Sequence, residues 1–103
     1  MDDTQKTARL TVVTGRGDMD MDTLGPLAEA LQTAARTHDV VVLDASQISF
    51  GDSSFLNLLL NTHKITTLRV AAPQKQLLSL LEITGADGVL TMASTVEAAL
   101  AMP

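Results

Sequence analysis

The feature that most restricts the fold of this 103-residue chain is an unbroken apolar run at residues 40–43, which ends at Asp44. Three of its four residues are valines, and apolar and polar positions do not alternate within it. Such a run is typical of a strand covered on both faces, as in a sheet flanked by helices. We therefore expect an α/β fold.

The rest of the chain alternates between strand-like and helix-like patterns. Predicted strands cover residues 10–14, 40–43, 68–71 and the surroundings of Val89 and Leu90, and predicted helices cover residues 23–36, 53–64, 73–83 and 94–101. Residues 15–17 are expected to form a turn and residues 45–51 a loop. No linker or repeat divides the chain, so the pattern predicts one domain over residues 1–103, with crossover helices between the strands.

Composition narrows the possible functions. The net charge of −5 comes from 12 acidic and 7 scattered basic residues, which disfavours nucleic-acid binding. The absence of cysteine excludes disulfides, thiolate catalysis and thiolate-bound zinc. No apolar run approaches the roughly 20 residues that span a bilayer, and the polar first ten residues lack a signal-peptide core. We expect a cytoplasmic protein without direct membrane insertion.

Asp52, Ser53 and Ser54 stand where the second predicted helix begins. Asp52 or Ser53 is a suitable N-cap, so the serines fall in the cap or the first turn. A phosphate on Ser53 would be favoured by the unpaired amides and the dipole of the helix start, although it adds charge beside Asp52. On the residues alone, a simple capping sequence and a phosphorylation switch both remain open.

The motif I-x-F-x-D-S-S at residues 48–54, between an apolar strand and an aliphatic helix, resembles the signature of STAS domains. This family includes domains of sulfate transporters and anti-sigma factor antagonists. The match extends upstream, where the family's G-E-L-D-x-x-T pattern is similar to Gly17, Asp18, Met19, Asp20 and Thr23. The resemblance covers about residues 10–100.

This resemblance implies a STAS-like domain with its core at about residues 10–101, in which a central mixed sheet of about four to five strands packs with about four helices. It implies a bacterial anti-sigma factor antagonist that is not an enzyme and needs no cofactor. The implied partner is an anti-sigma factor with serine-kinase activity and a histidine-kinase-like ATPase fold. Phosphorylation of Ser53 by this partner would end the docking, and a serine phosphatase would reset the cycle.

The implied phosphoacceptor is Ser53, with Ser54 as the weaker candidate. The predicted partner-binding residues are Asp20, Asp22, Thr23, Asp52, Ser53, Ser54, Phe55 and Leu56. If Leu56 or Leu59 is exposed, it would join Phe55 in an apolar patch beside the phosphosite.

Two residues depart from the family pattern. Phe55 stands where the family usually has glycine, and Gly51 stands where a bulky apolar residue is common. Phe55 is expected either to narrow the approach of a partner or to pack into the core, with Gly51 absorbing its extra volume. The alternative function is a phosphorylation-independent adaptor subunit of a larger assembly, such as a membrane-transport complex.

Two other motifs are weighed against this interpretation. Positions 1, 3, 5 and 12 of a calcium-binding EF-hand loop are matched by Asp18, Asp20, Asp22 and Glu29. Threonine replaces the glycine that position 6 requires, so a solvated acidic turn or a partner-facing loop is expected instead.

A hydrolase triad is not expected either, because His63 would lie about 15 Å from Ser53 along the same helix. His38 and His63 are predicted to be surface residues.

Overall fold

The computed structural model describes residues 8–103, so the polar residues 1–7 lie outside the described part of the chain. The strands are β1 (Ala8–Met19), β2 (His38–Gly51), β3 (Thr67–Ala71) and β4 (Thr91–Ala93). The helices are α1 (Gly25–Thr37), α2 (Ser53–Ile65), α3 (Lys75–Thr84) and α4 (Val96–Leu100), with a short 3-10 helix at Ala86–Gly88. No helix among these residues is long and apolar enough to cross a membrane.

The strands form one sheet in the order β1-β2-β3-β4, and all three pairings are parallel. The predicted α/β class and the four helices are confirmed. Within residues 8–103 the sheet has four strands and is parallel throughout, whereas a mixed sheet was expected. The reason is that α1, α2 and α3 each connect two neighbouring strands, and such a crossover returns the chain in the same direction.

Each face of the sheet has its own apolar cluster. Val41 and Leu43 of β2 belong to the larger cluster, whose helical members come from α1, α2 and α3. Val42 points to the opposite face, where it packs with Ala71, Ala93 and Ala99, the last of these from α4. The run at residues 40–43 is therefore covered on both faces, as its lack of alternation predicts.

Strands β1 and β2 are longer than predicted. The expected turn at residues 15–17 and loop at residues 45–51 are wrong, because the two segments pair with each other up to Met19 and Gly51. Two register shifts interrupt the pairing, and at each of them β2 contains one more residue than β1. These β-bulges change the spacing of the buried residues of β2 from two to three, at Ala45, Ile48 and Gly51.

Two other boundaries, the start of α1 and the position of the last strand, differ from the prediction. Helix α1 begins at Gly25, and its N-cap position is Leu24, which makes no side-chain cap; Pro26 lies in the first turn as expected. The last strand lies at Thr91–Ala93, because the amides of Val89 and Leu90 donate to the carbonyl of Ala86 in a turn. Helix α3 ends at Gly85, as predicted, with the positive φ of 79° that favours glycine.

Candidate functional site

Ser53 is the first residue of α2 and is exposed. The N-cap is Asp52, whose Oδ1 accepts from the amides of Ser54 at 2.9 Å and Phe55 at 3.2 Å. Among residues 8–103, the hydroxyl of Ser53 makes no hydrogen bond. Ser54 is half-buried. The helix is therefore capped by the aspartate alone, and the Ser53 hydroxyl is accessible from solvent.

The acidic loop at residues 18–23 lies beside this serine. The amide of Asp52 donates to the carbonyl of Met19 at 3.3 Å, and Met19 is paired with Gly51 at the end of the β1–β2 ladder. The end of β1 is thereby held against the start of α2. This placement brings Asp20, Asp22 and Thr23 to the same edge of the sheet as Asp52 and Ser53, as predicted.

Asp20 organises the acidic loop. Its Oδ1 accepts from the amides of Asp22 at 2.9 Å and Thr23 at 3.0 Å, and lies 3.1 Å from the Thr23 hydroxyl. These hydrogen bonds, first that from the Asp22 amide, hold the pKa of the Asp20 carboxyl below its usual value of 3.8. Thr23 also donates from its hydroxyl to the carbonyl of Asp18 at 2.7 Å. Thr23 thus closes the loop and does not cap α1, whose N-cap position is Leu24.

The loop does not form a calcium site in this structure. Asp20 directs a carboxylate oxygen to backbone amides, and Glu29 lies on the exposed side of α1. Within residues 8–103 there is no group of three or more His, Cys, Asp or Glu side chains that could hold a metal ion. Asp22 is exposed, and its carboxylate has no hydrogen-bond partner among the described residues. The loop is an acidic turn.

Phe55 is fully buried in the larger core cluster, which is the second of the two positions expected for it, so its side chain is not available to a partner. It packs against Gly51: a Cβ on Gly51 would lie 2.5 Å from Cδ2 of Phe55. The ring therefore fills the space that a side chain on Gly51 would need. The two departures from the family pattern compensate each other, and Phe55 does not narrow the approach to Ser53.

The exposed apolar residues at this edge are different from those predicted. Leu59 is fully buried and Leu56 half-buried, whereas Phe50 is 51% exposed and Met21 is 77% exposed. Phe50 is paired with Asp18, next to the acidic loop. The exposure of Phe50 on a strand was not predicted, because residues 45–51 were expected to form a loop. The signal in the sequence was the three-residue spacing of Ala45, Ile48 and Gly51, which leaves Phe50 out of phase with the buried positions.

Neither histidine approaches Ser53. His38 begins β2, at the opposite end of the strand, and its Nδ1 contacts the Thr37 hydroxyl at 2.8 Å. His63 is half-buried, and its Nδ1 accepts from the amide of Leu68 at 3.1 Å. Like His38, His63 is partly exposed, and its hydrogen bond links α2 to β3. Neither histidine is therefore placed to act as a general base for Ser53.

Comparisons with known proteins agree with this architecture. Residues 3–92 match the family described as "Mlab, STAS domain". A solved structure of an anti-sigma factor antagonist from Mycobacterium paratuberculosis is similar, with 27% identity and a TM-score of 0.79 over 88% of this chain and 82% of that one. The unphosphorylated anti-sigma factor antagonist SpoIIAA shares the fold, with 19% identity and a TM-score of 0.74 over 89% and 85% of the two chains. No curated protein matches this chain.

Proposed function

This chain belongs to the STAS domain family, and on that premise we propose that it is an anti-sigma factor antagonist switched by phosphorylation of Ser53. The similarity to a mycobacterial anti-sigma factor antagonist, at 27% identity, supports the proposed class of partner. The partner is an anti-sigma factor with serine-kinase activity and a histidine-kinase-like ATPase fold. The chain itself is a binding domain and not an enzyme.

The observation that carries the proposal is the exposed hydroxyl of Ser53 at the start of α2, which makes no hydrogen bond within residues 8–103. Since Asp52 already caps the amides of Ser54 and Phe55, this hydroxyl has no structural task in the helix. Ser54 follows it but is half-buried. The geometry therefore favours Ser53 over Ser54 as the acceptor of a phosphoryl group from a kinase.

Phosphorylation would act through charge. The Ser53 oxygen attacks the γ-phosphorus of ATP held by the partner, ADP leaves, and the hydroxyl proton is lost. The product carries about 1.5 to 2 negative charges beside Asp52. Residues 18–23 and 48–56 contain four aspartates and no basic residue, so nothing in these segments neutralises the phosphate. The new charge therefore repels an acidic or apolar partner surface, and a serine phosphatase restores binding.

The structure also supports a revised contact surface for the partner. The polar part keeps Asp20, Asp22, Thr23, Asp52, Ser53 and Ser54, with half-buried Leu56 at its border. Phe50 and Met21 replace Phe55 as the apolar contacts, since they are exposed at the same edge. Aromatic residues and methionine are enriched at protein interfaces. The apolar contacts fit an apolar partner surface, which a phosphate on Ser53 would disfavour, and the acidic loop fits basic groups at the border of that surface.

The first experiment compares wild type with Ser53→Glu and Ser53→Ala as baits in a native bacterial lysate. Mass spectrometry identifies the bound proteins, and circular dichroism confirms that each variant is folded. We expect an ATPase-fold anti-sigma factor on wild type and on Ser53→Ala, and its loss on Ser53→Glu. The charge-matched control is Ser79→Glu, at an exposed position of α3, which should bind like wild type.

Two outcomes would contradict the switch. If all variants retain the same set of transport or assembly subunits, the constitutive adaptor becomes the better interpretation. If the captured kinase phosphorylates purified chain at Ser54, as located by fragment mass spectrometry, the assignment of Ser53 is wrong.

A further inference from the structure

Arg69 is a buried cation that the proposed function does not use. Its side chain is 6% exposed and belongs to β3, where its neighbours Leu68 and Val70 lie in the larger cluster on the other face of the sheet. Arg69 is therefore on the face covered by α4. Its Nη1 donates to the carbonyl of Ala99 at 2.7 Å, and its Nη2 donates to the carbonyl of Pro103 at 3.2 Å.

The hydrogen-bonding capacity of this guanidinium is only partly used. Arginine has five N–H donors, and two of them have acceptors here. Among residues 8–103, no aspartate or glutamate side chain forms an ion pair with Arg69. A buried charge is costly unless it is paired, and buried donors without acceptors are rare in folded proteins. The remaining donors have no acceptor within residues 8–103, so they are available to a bound anion.

Arg69 lines a cavity that has room for such an acceptor. The cavity has a volume of about 390 Å³, which is within the usual range of roughly 300–1,000 Å³ for small-molecule sites. It lies where β1, β2 and β3 begin, and its other lining residues are Arg9, Leu10, Val40, Thr67, Leu100, Met102 and Pro103. Two arginines thus line one cavity together with several apolar side chains.

We propose that this cavity binds the phosphate group of a small amphiphile. Guanidinium groups bind phosphate through paired N–H donors, and a phosphate dianion matches the charge of two arginines. Leu10, Leu100 and Met102 supply apolar contact for a short chain attached to the phosphate. The ligand is either a soluble phosphorylated compound or the headgroup of a phospholipid, and both present the same chemistry to the cavity.

This site is separate from the phosphoswitch. Ser53 follows the carboxyl end of β2, whereas the cavity lies at the edge where β1 to β3 begin. Ligand binding at Arg69 is therefore testable without a partner protein and without phosphorylation of Ser53.

The test titrates the purified chain with octyl phosphate and with inorganic phosphate, followed by amide NMR shifts and calorimetry. We expect saturable shifts at Arg69, Thr67 and Ala99, with octyl phosphate binding at least about tenfold more tightly because its chain adds apolar contact. A second arm measures sedimentation with vesicles of phosphatidylcholine alone or mixed with phosphatidic acid. Binding only to the mixed vesicles identifies a lipid source, and binding of octyl phosphate without vesicle binding identifies a soluble source.

Variants separate a binding role from a structural one. Arg9→Gln changes an exposed residue and should weaken octyl phosphate binding at least about tenfold while the fold is kept. Arg69→Lys should weaken binding similarly, because lysine keeps the charge but loses the paired donors. Arg36→Gln, at an exposed position of α1, is the control and should bind like wild type. The site is disproved if folded wild type shows no saturable shifts at millimolar ligand, or if Arg9→Gln and Arg69→Lys both bind like wild type.

Discussion

The contact between Gly51 and Phe55 allows a direct test of packing at the level of single residues. We expect Gly51→Ala to lower the free energy of unfolding by about 1–3 kcal/mol, because the added Cβ would lie 2.5 Å from the buried Phe55 ring. Urea denaturation measures the change. Gly88→Ala is the control, since a Cβ there meets nothing within 4 Å and should alter stability much less.

A double substitution extends this test. Gly51→Ile with Phe55→Gly restores the pattern usual in the family, a bulky residue followed by a glycine. The stability loss of the double variant should be smaller than the sum of the two single losses, because each change makes room for the other. Strictly additive losses would show that the side chains at positions 51 and 55 do not compete for the same space in the core.

Thr23 and Asp20 provide a test by titration. The pKa of the Asp20 carboxyl is lowered, first by the Asp22 amide and then by the Thr23 hydroxyl, so Thr23→Val should move it up towards 3.8. A lowered pKa contributes stability that is present above pH 3.8 and is lost as the pH falls through the folded-state value. NMR titration of the carboxyl group follows this shift. An unchanged pKa in a folded Thr23→Val would contradict the role of the hydroxyl.

At the residue scale, part of the candidate site could be predicted from the sequence. Ser53, its capping neighbour Asp52 and the acidic loop were placed together correctly, because capping and the family motif depend on local spacing. Phe55 was expected either at the surface or in the core, and the exposure of Phe50 was not predicted. Their exposure depends on the bulges of β2 and on the missing side chain of Gly51, which are consequences of pairing with a distant strand.

At the scale of elements, α2 depends on Asp52 for its start. Asp52→Ala removes the acceptor of two amides and should lower the free energy of unfolding by about 1 kcal/mol. Asp52→Asn keeps a side-chain oxygen that can accept from these amides, so its free energy of unfolding should stay close to that of wild type. Urea denaturation of both variants tests this. Equal losses in the two variants would indicate that the negative charge of Asp52, and not its hydrogen-bonding oxygen, stabilises the helix.

The helices and the central strands were predictable because their apolar spacing is local. The carboxyl ends of β1 and β2 were not, since glycines and polar residues there have little strand propensity by themselves. They become strands by pairing with each other over a sequence distance of about thirty residues, as at Met19 and Gly51. Propensity was overridden by tertiary structure in this segment.

At the scale of the whole molecule, charge should control the proposed association. The chain has a net charge of −5, and the exposed acidic loop contributes unpaired carboxylates at the proposed contact surface. We expect affinity for the anti-sigma partner to fall as salt rises from about 0.05 to 0.5 M, because screening shortens the range of these charges. Calorimetry at several salt concentrations measures the dependence.

Two substitutions locate this effect. Asp22→Asn should weaken binding and reduce its salt dependence, because Asp22 is exposed and its carboxylate makes no hydrogen bond within the described residues. Glu97→Gln on α4 removes the same charge from the opposite face of the sheet and should leave both quantities unchanged. A salt-independent affinity of wild type would rule out an electrostatic contribution from the loop.

The order of the strands in the sheet is also their order along the chain. Each new strand therefore pairs with the strand that was synthesised immediately before it. During translation, the sheet can grow outward from β1 in one direction as the chain leaves the ribosome, without any strand having to enter between two that are already paired. Ser53 precedes β3 and β4, so the part of the domain that carries the proposed phosphorylation site can begin to form before the last strands exist.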